Sequence, residues 1–397
     1  MNPAAPAITA GFKALIPKTS DVSSRDIATA PNKPIPAMQR INAAIGGTSR
    51  PMASLSPAPS RKRQYLILIA ILLLLAGGWI GFWKYAADAA HATIEGWRAR
   101  EAKAGRTFAC GSEQIGGFPF RFELICDGAS AVVRGGELPF ELKAVQVHVA
   151  SQVYQPNLLI SEFTGPLTIA EPGRPPGYVV EWKLAQSSLS GLPQSPQRVS
   201  LVVDAPVINR NEPALQLLVA DHVEIHGRIA EGSAANRPVI DVALETKRLK
   251  VAETGPLLAV PTDANIDAAL SGLNDFSPKP WPARFREIQQ ANGRIEIRKM
   301  RIQQGDTVAV GGGTLSLNEH GRLDGQLNMT VAGLEAFVNR LAAETGQRLG
   351  VSVSLGIGLL SGSRQVEGRP AIAIPMKIVN GAMMLGPLKI GEIPPFF

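Results

Sequence analysis

The side chains able to do chemistry in this 397-residue chain are few: two cysteines, Cys110 and Cys126, and five histidines at 91, 148, 222, 226 and 320. The densest set is Asp221-His222-Val223-Glu224-Ile225-His226. On a strand, 222, 224 and 226 share one face, so two imidazoles and a carboxylate project together with the donor chemistry of a zinc site. Strand geometry opposes that use, because side chains at i and i+4 stand ~13 Å apart and cannot both reach one ion at ~2 Å. Val223, Ile225 and Ile229 on the other face describe an ordinary half-buried strand with a solvated polar side. His222, Glu224 and His226 are nevertheless the first place to look for an envelope hydrolase. No Gly-x-Ser-x-Gly elbow, Walker A loop or Gly-x-Gly-x-x-Gly stands in the sequence, and Gly311-Gly312-Gly313 reads as a hairpin turn. Catalytic, cofactor-binding and metal-ligating residues are therefore all expected to be absent, and no cofactor is implied.

The elements that position these residues begin with a membrane segment. Tyr65 to Trp83 holds no charged residue, and 19 residues at ~1.5 Å each approach the ~30 Å hydrocarbon core of a bilayer. Tyr65 at one end and Trp79 and Trp83 toward the other are placed as interfacial aromatics. Arg61, Lys62 and Arg63 precede the span and only Lys84 follows before Asp88, so the positive-inside rule puts residues 84–397 outside the cytoplasm. In a bacterium with two membranes that is the periplasm. The run is longer than the ~7–15 residues of a cleaved signal, which favours an uncleaved signal anchor at 61–83 despite the small-x-small sequence Ala87-Asp88-Ala89.

Charge supports the same division. Residues 1–63 carry nine Lys or Arg and two Asp, which is the whole formal charge of +7; the rest holds 31 residues of each sign. No basic excess remains for a nucleic acid partner. Residues 1–60, with nine prolines and no periodicity, read as a disordered cytoplasmic tail. A start at Met52 is an alternative.

Residues 84–104 continue as a juxtamembrane helix that carries Ile94 and Trp97 and stops at Gly105. Period-two runs then dominate, first at Phe118–Cys126, entered from a Gly116-Gly117 turn, and then near 142–149, 157–163, 178–184, 199–208, 215–229, 238–251, 293–302, 307–317, 322–331 and 371–379. Helical patterns interrupt at Ala283–Gln290 and Leu334–Ala343, and Val351–Leu360 reads as a core strand or short helix. The fold class is mainly β (α+β): an antiparallel exported domain over 105–397 with a few short helices, with room for two modules divided near 275–292. Either two sheets pack their apolar faces together, or one long curved sheet keeps an apolar trough partly open.

In an oxidising exported compartment, Cys110 and Cys126 are expected to pair as a disulfide, worth ~3 kcal/mol for a loop of ~15 residues. Without a Cys-x-x-Cys the pair is structural rather than redox-active.

The basic cluster and anchor, Trp97, the segment Cys110…Gly116-Gly117-Phe118-Pro119-Phe120-Arg121…Cys126, the stretch Gly312–Leu327 and the ending Gly368-Arg369-Pro370…Pro394-Pro395 together resemble the bacterial family called domain of unknown function 2125. The Gly-x-Leu-x-Leu repeats are also similar to AsmA-like envelope proteins. The resemblance covers roughly 61–397 and implies an inner-membrane-anchored envelope protein, without supplying a reaction. The resulting expectation is a single-pass inner-membrane protein, largely periplasmic and noncatalytic, that handles lipid or scaffolds envelope proteins. A closed-core interaction scaffold is the alternative.

Overall fold

The computed structural model describes residues 61–134, 139–192, 195–234, 236–252, 260–276, 279–336, 364–385 and 388–397. The tail assigned to 1–60, the alternative start at Met52 and the segment Val351–Leu360 lie outside them, as does most of the helix expected over Leu334–Ala343, of which only 334–336 are described, as helix. Gln64–Phe397 forms one compact unit.

Helix α1 (Lys62–Lys103) opens the described chain. It is followed by β1 (Arg106–Ala109), β2 (Ser112–Gly116), β3 (Arg121–Val133), β4 (Phe140–Gln152), β5 (Gln155–Ala170), β6 (Tyr178–Glu181) and β7 (Leu184–Ser190). Next come β8 (Arg198–Asp204), β9 (Val207–Arg210), β10 (Leu215–Val219), β11 (His222–Ile229), β12 (Ile240–Val251), β13 (Thr262–Leu270) and α2 (Trp281–Gln290). The remainder is β14 (Arg294–Gln304), β15 (Thr307–Leu317), β16 (Leu323–Ala332), β17 (Arg364–Val366), β18 (Arg369–Val379), β19 (Ala382–Leu385) and β20 (Leu388–Glu392).

Helix α1 is the one described helix long and apolar enough to cross a membrane, and its 42 residues run about 63 Å at ~1.5 Å each, twice the thickness of a hydrocarbon core. Anchor and juxtamembrane helix are thus one continuous rod. Gly105, at φ +80°, ends it, since a left-handed conformation is cheap only for glycine. Trp79, Trp83, Ala87 and Trp97 fall on one stripe of the rod, and that stripe meets the first strands. Trp83 packs on Phe118 and Phe122, and Trp97 on Phe108, with ring centroids 5.5, 5.9 and 4.7 Å apart.

All the described strands belong to one sheet. An unbroken antiparallel ladder runs β3–β4–β5–β7–β8–β11–β12–β13–β14–β15–β16–β18–β19–β20. Of the two arrangements the alternating pattern permits, this is the long single sheet. Residues 275–292 are no seam between modules: β13 and β14, on either side of them, pair directly from Asp263↔Gln303 to Leu270↔Ile295. The helical stretch between is an excursion from one sheet.

A row of irregularities crosses this sheet and bends it. Cys110-Gly111 separates β1 from β2, and both pair with β3. Gly128 and Val145 are skipped in the β3–β4 register, and Gly165-Pro166 in β4–β5. Trp182-Lys183 divides β6 from β7, Ala205-Pro206 divides β8 from β9, and Ala220-Asp221 divides β10 from β11. The row ends at Lys247-Arg248 in β12. The irregular residues bond to one another across the strands: the Lys183 N–H donates to the Asp204 carbonyl, Ala205 to Asp221 and Asp221 to Lys247, all within 2.9 Å. Each inserted residue bends its strand and raises local twist. The apolar alternation slips with it, so that Val180 and Ala185, Val203 and Ile208, and Leu218 and Val223 are five apart rather than an even number.

Two local expectations are corrected. Phe118 to Phe120 do not belong to a strand: the Arg121 N–H donates to the Gly117 carbonyl (2.9 Å) to close a turn, and β3 starts only at Arg121. Pro119, lacking an N–H, suits a turn better than a ladder. Nor is Gly311-Gly312-Gly313 a hairpin; it lies inside β15, paired with β14 and β16. A Cβ at Gly313 would stand 2.1 Å from the Gln326 carbonyl oxygen, so glycine there admits close backbone approach.

The buried core lies toward the C-terminal end. Met300, Leu315, Leu323, Leu327, Val331, Leu334, Ile374, Met376 and Ile378 form its main cluster, with Val308 and Ala332 fully enclosed in a second. Ile393 and Phe396 pack against the first. Helix α2 adds Ile288, which is buried, and Phe285, whose ring lies 4.8 Å from that of Phe396.

Candidate functional site

Residues directly opposite in antiparallel strands share a face, so the register identifies what each face carries. One row starts at Cys126 and passes through Val147, Phe163, Ala185, Val203 and Val223 to Thr246. It continues through Ala264, Ile302, Ala309 and Val331 to Ile372. Twelve strands contribute, and Thr246 is the single hydroxyl in an otherwise apolar band. The neighbouring row on the opposite face begins at Ile125 and reads His148, Glu162, Gln186, Val202, Glu224, Glu245, Asn265 and Arg301. Over β3–β14 the sheet therefore has one apolar and one predominantly polar face; over β15–β18 the second face turns apolar as well, through Val310 and Ala373 and the enclosed Val308, Ala332 and Ala371.

Among the described residues the apolar face is enclosed at one end only. From β14 onward it forms the buried core, whereas over β3–β12 its apolar residues are mostly half-buried; Cys126 and Ala185 in the strands, and Ala220 in the break between β10 and β11, are fully buried. Val199 and Ile225 on that face remain 46% and 40% exposed. At ~25 cal/mol per Å2, apolar area left in water is stabilisation forgone, and a contiguous strip of it marks an interaction or ligand surface.

The polar face holds the histidine cluster. His222 Nδ1 lies 2.7 Å from Asp204 Oδ1 and its Nε2 is 3.3 Å from Glu224 Oε2. The hydrogen bond to Asp204, then that to Glu224, raises the His222 pKa above its ordinary value against the opposing effect of burial. Partial burial pushes the Glu224 carboxyl up, but hydrogen bonds from His222 and His226 carry it below the usual range. With both nitrogens facing carboxylates, His222 is held as a double donor, a poor state for a metal ligand. Among the described residues no group of three His, Cys, Asp or Glu is placed to hold a metal ion. Glu224, which sequence reasoning treated as a third ligand, is instead the bridge between the two imidazoles.

Sequence reasoning missed Ser200. Its hydroxyl lies 2.8 Å from His226 Nδ1, while His226 Nε2 is 2.6 Å from Glu224 Oε1. That connectivity resembles a Ser-His-Glu relay, and only the register His226↔Ser200 brings it together. β8 pairs along its length with β7 and β11, so its backbone N–H groups serve the ladder and are not aimed at an oxyanion.

Cys110 and Cys126 are joined in a disulfide with Cα atoms 5.3 Å apart. They do not oppose each other across a hairpin, since Glu113 faces Cys126 and Cys110 sits in the break between β1 and β2. The disulfide pins that break to β3. The Gly116–Arg121 segment lies against α1: the Trp79 Nε1 donates to the Pro119 carbonyl and the Trp83 Nε1 to that of Arg121, both at 3.1 Å. Of the span aromatics, Trp79 and Trp83 thus do structural work, while Tyr65 is exposed on α1. Arg61, Lys62 and Arg63 stand exposed at its start.

Residues 83–394 match the family described as an uncharacterized protein conserved in bacteria, DUF2125. The chain belongs to DUF2125. The match begins at Trp83, so it takes in the aromatic contact between α1 and β3 and the whole sheet. No curated protein and no solved structure matches the chain, and the likeness to AsmA-like envelope proteins is not shown.

Proposed function

We propose that this DUF2125 chain is a single-pass protein of the bacterial inner membrane whose exported sheet is a noncatalytic acceptor of lipid acyl chains in envelope biogenesis. The observation that carries the reading is the apolar row running from Cys126, beside the anchor, to Ile372, half-open over its first strands and closed over its last. Aliphatic chains need only a continuous apolar surface, which a bent sheet supplies without a polar pocket. Helix α1 supports the membrane placement, because its Leu66–Leu75 side chains are apolar on every side and exposed, a surface stable only in hydrocarbon. Exposed basic residues 61–63 at the start of α1 and an oxidised cysteine pair after it support export of the sheet.

Photocrosslinking in living cells tests it. A benzophenone side chain at Ile225 is expected to capture phospholipid or another acylated envelope lipid, and one at Arg228, on the polar face, is not. Protein adducts at Ile225 with no lipid adduct would replace the reading with that of an interaction scaffold.

A further inference from the structure

We propose that the Phe118-Pro119-Phe120 turn, together with Tyr154, is a second membrane contact: an aromatic foot seated in the outer interface of the bilayer that α1 crosses. The level of the turn is set by its partner on the helix. The Phe120 ring lies 6.3 Å from that of Trp79, and the Pro119 carbonyl accepts the Trp79 N–H. Trp79 belongs to the charge-free run, five residues before Lys84, which places it ~7.5 Å toward the hydrocarbon from the first charge. A segment bound at that height cannot stand clear of the headgroups.

Its surface suits that position. Phe118 and Phe120 are 51% and 63% exposed, and Tyr154, at the β4–β5 hairpin tip, is 76% exposed. The hairpin adjoins the turn, for the Val153 N–H donates to the Phe120 carbonyl at 3.0 Å. Aromatic rings of this kind concentrate where hydrocarbon meets headgroups. Part of the turn's backbone is also already paired. Pro119 has no N–H, and the carbonyls of Gly117, Pro119, Phe120 and Arg121 accept from Arg121, Trp79, Val153 and Trp83 respectively. Each carbonyl so occupied is one group fewer that must find water or a headgroup at the interface. Arg121, exposed just beyond the turn and ion-paired with Glu123 at 3.1 Å, keeps its charged head on the headgroup side while its stem stays apolar. The foot fixes the first edge of the sheet at the membrane surface, a role independent of whether the sheet carries lipid; it rests only on α1 crossing the bilayer.

The test uses the full chain, its disulfide intact, in vesicles of phosphatidylethanolamine and phosphatidylglycerol. A single nitroxide is placed by Phe120→Cys, Tyr154→Cys, Leu72→Cys or Glu171→Cys, and its collisions with oxygen and with a soluble nickel chelate are measured. Tyr154→Cys keeps the test valid if Phe120→Cys disturbs the turn. The expected result is a several-fold loss of nickel contact at 120 and 154 relative to 171, with oxygen contact kept, approaching the behaviour at 72. Nickel access at 120 and 154 equal to that at 171, with 72 in lipid, overturns the foot and leaves the anchor standing. Shielding of 120 and 154 from both reagents overturns it in favour of a protein contact. Nickel access at 72 removes anchor and foot together.

Discussion

Leu327 and Ile225 lie on the same face of the same sheet, in strands of the same alternating pattern, yet Leu327 is 4% exposed and Ile225 40%. The difference is what stands over them. Around β14–β18 the same-face side chains pack into one buried cluster, which Leu334, Ile393 and Phe396 complete. Over β3–β12 the cover among the described residues is α1 at the first strand, where Trp83 stacks on Phe122; the strands beyond it have none. The bent, bulge-crossed half is therefore built as a surface and the C-terminal half as a core. Alternation in a sequence specifies a two-faced sheet, and enclosure is a separate property that some other segment must provide.

The contrast is most exposed to failure in paired truncations. Leu327→Ala is expected to cost about 2–5 kcal/mol, because deletion of a buried side chain adds a cavity to the lost transfer energy. Ile225→Ala is expected to cost no more than about 1 kcal/mol, since its side chain has less burial to lose. Urea unfolding of the two variants compares them, and equal losses would mean that the two halves are enclosed alike. Next in size is the disulfide. Cys110→Ser with Cys126→Ser opens a 16-residue separation, for which chain entropy gives about 3 kcal/mol. The loss should appear in hydrogen exchange over 106–133 while the core around Leu327 keeps its protection; uniform loss would show the two halves to be one cooperative unit.

The smallest effect belongs to the polar face. Because the His222 pKa is raised, its contribution to stability is complete below about pH 6.5 and lost as pH rises through the folded value. Glu224 is lowered, so its contribution is present above about pH 4.5 and lost as pH falls through the folded value. The two overlap between those limits. In an NMR titration, Asp204→Asn should return the His222 midpoint toward its ordinary value and leave the core unaffected. An unchanged midpoint would show that Asp204 does not hold the His222 proton.

The period-two runs were legible as strands because a half-buried strand repeats its side chains every second residue, and β4, β5, β12, β15 and β18 fall where that repeat is clean. The strands broken by Ala205-Pro206 and Ala220-Asp221 read as continuous within 199–208 and 215–229, although the odd spacing from Val203 to Ile208 already signalled an inserted residue, and β7 beyond Leu184 went unread. β13 went unread because Asp263, Asn265 and Asp267 share its polar face with small alanines on the other, which gives weak contrast. Gly311-Gly312-Gly313 misled, since glycine marks close backbone approach as well as turns. Ser200 carried no local signal at all: it joins His226 only through pairing across 26 residues.

By itself, then, the sequence determined what local composition and periodicity control: one apolar span with its flanking charge, strands of two unlike faces, and the residues that compose each face. Tertiary structure decided that the strands form a single bent sheet rather than two packed ones, that its apolar face is enclosed at one end, and that Phe120 reaches the level of Trp79. Those outcomes depend on register and on contacts between distant segments, and register is set by the whole ladder of paired neighbours rather than by any strand alone.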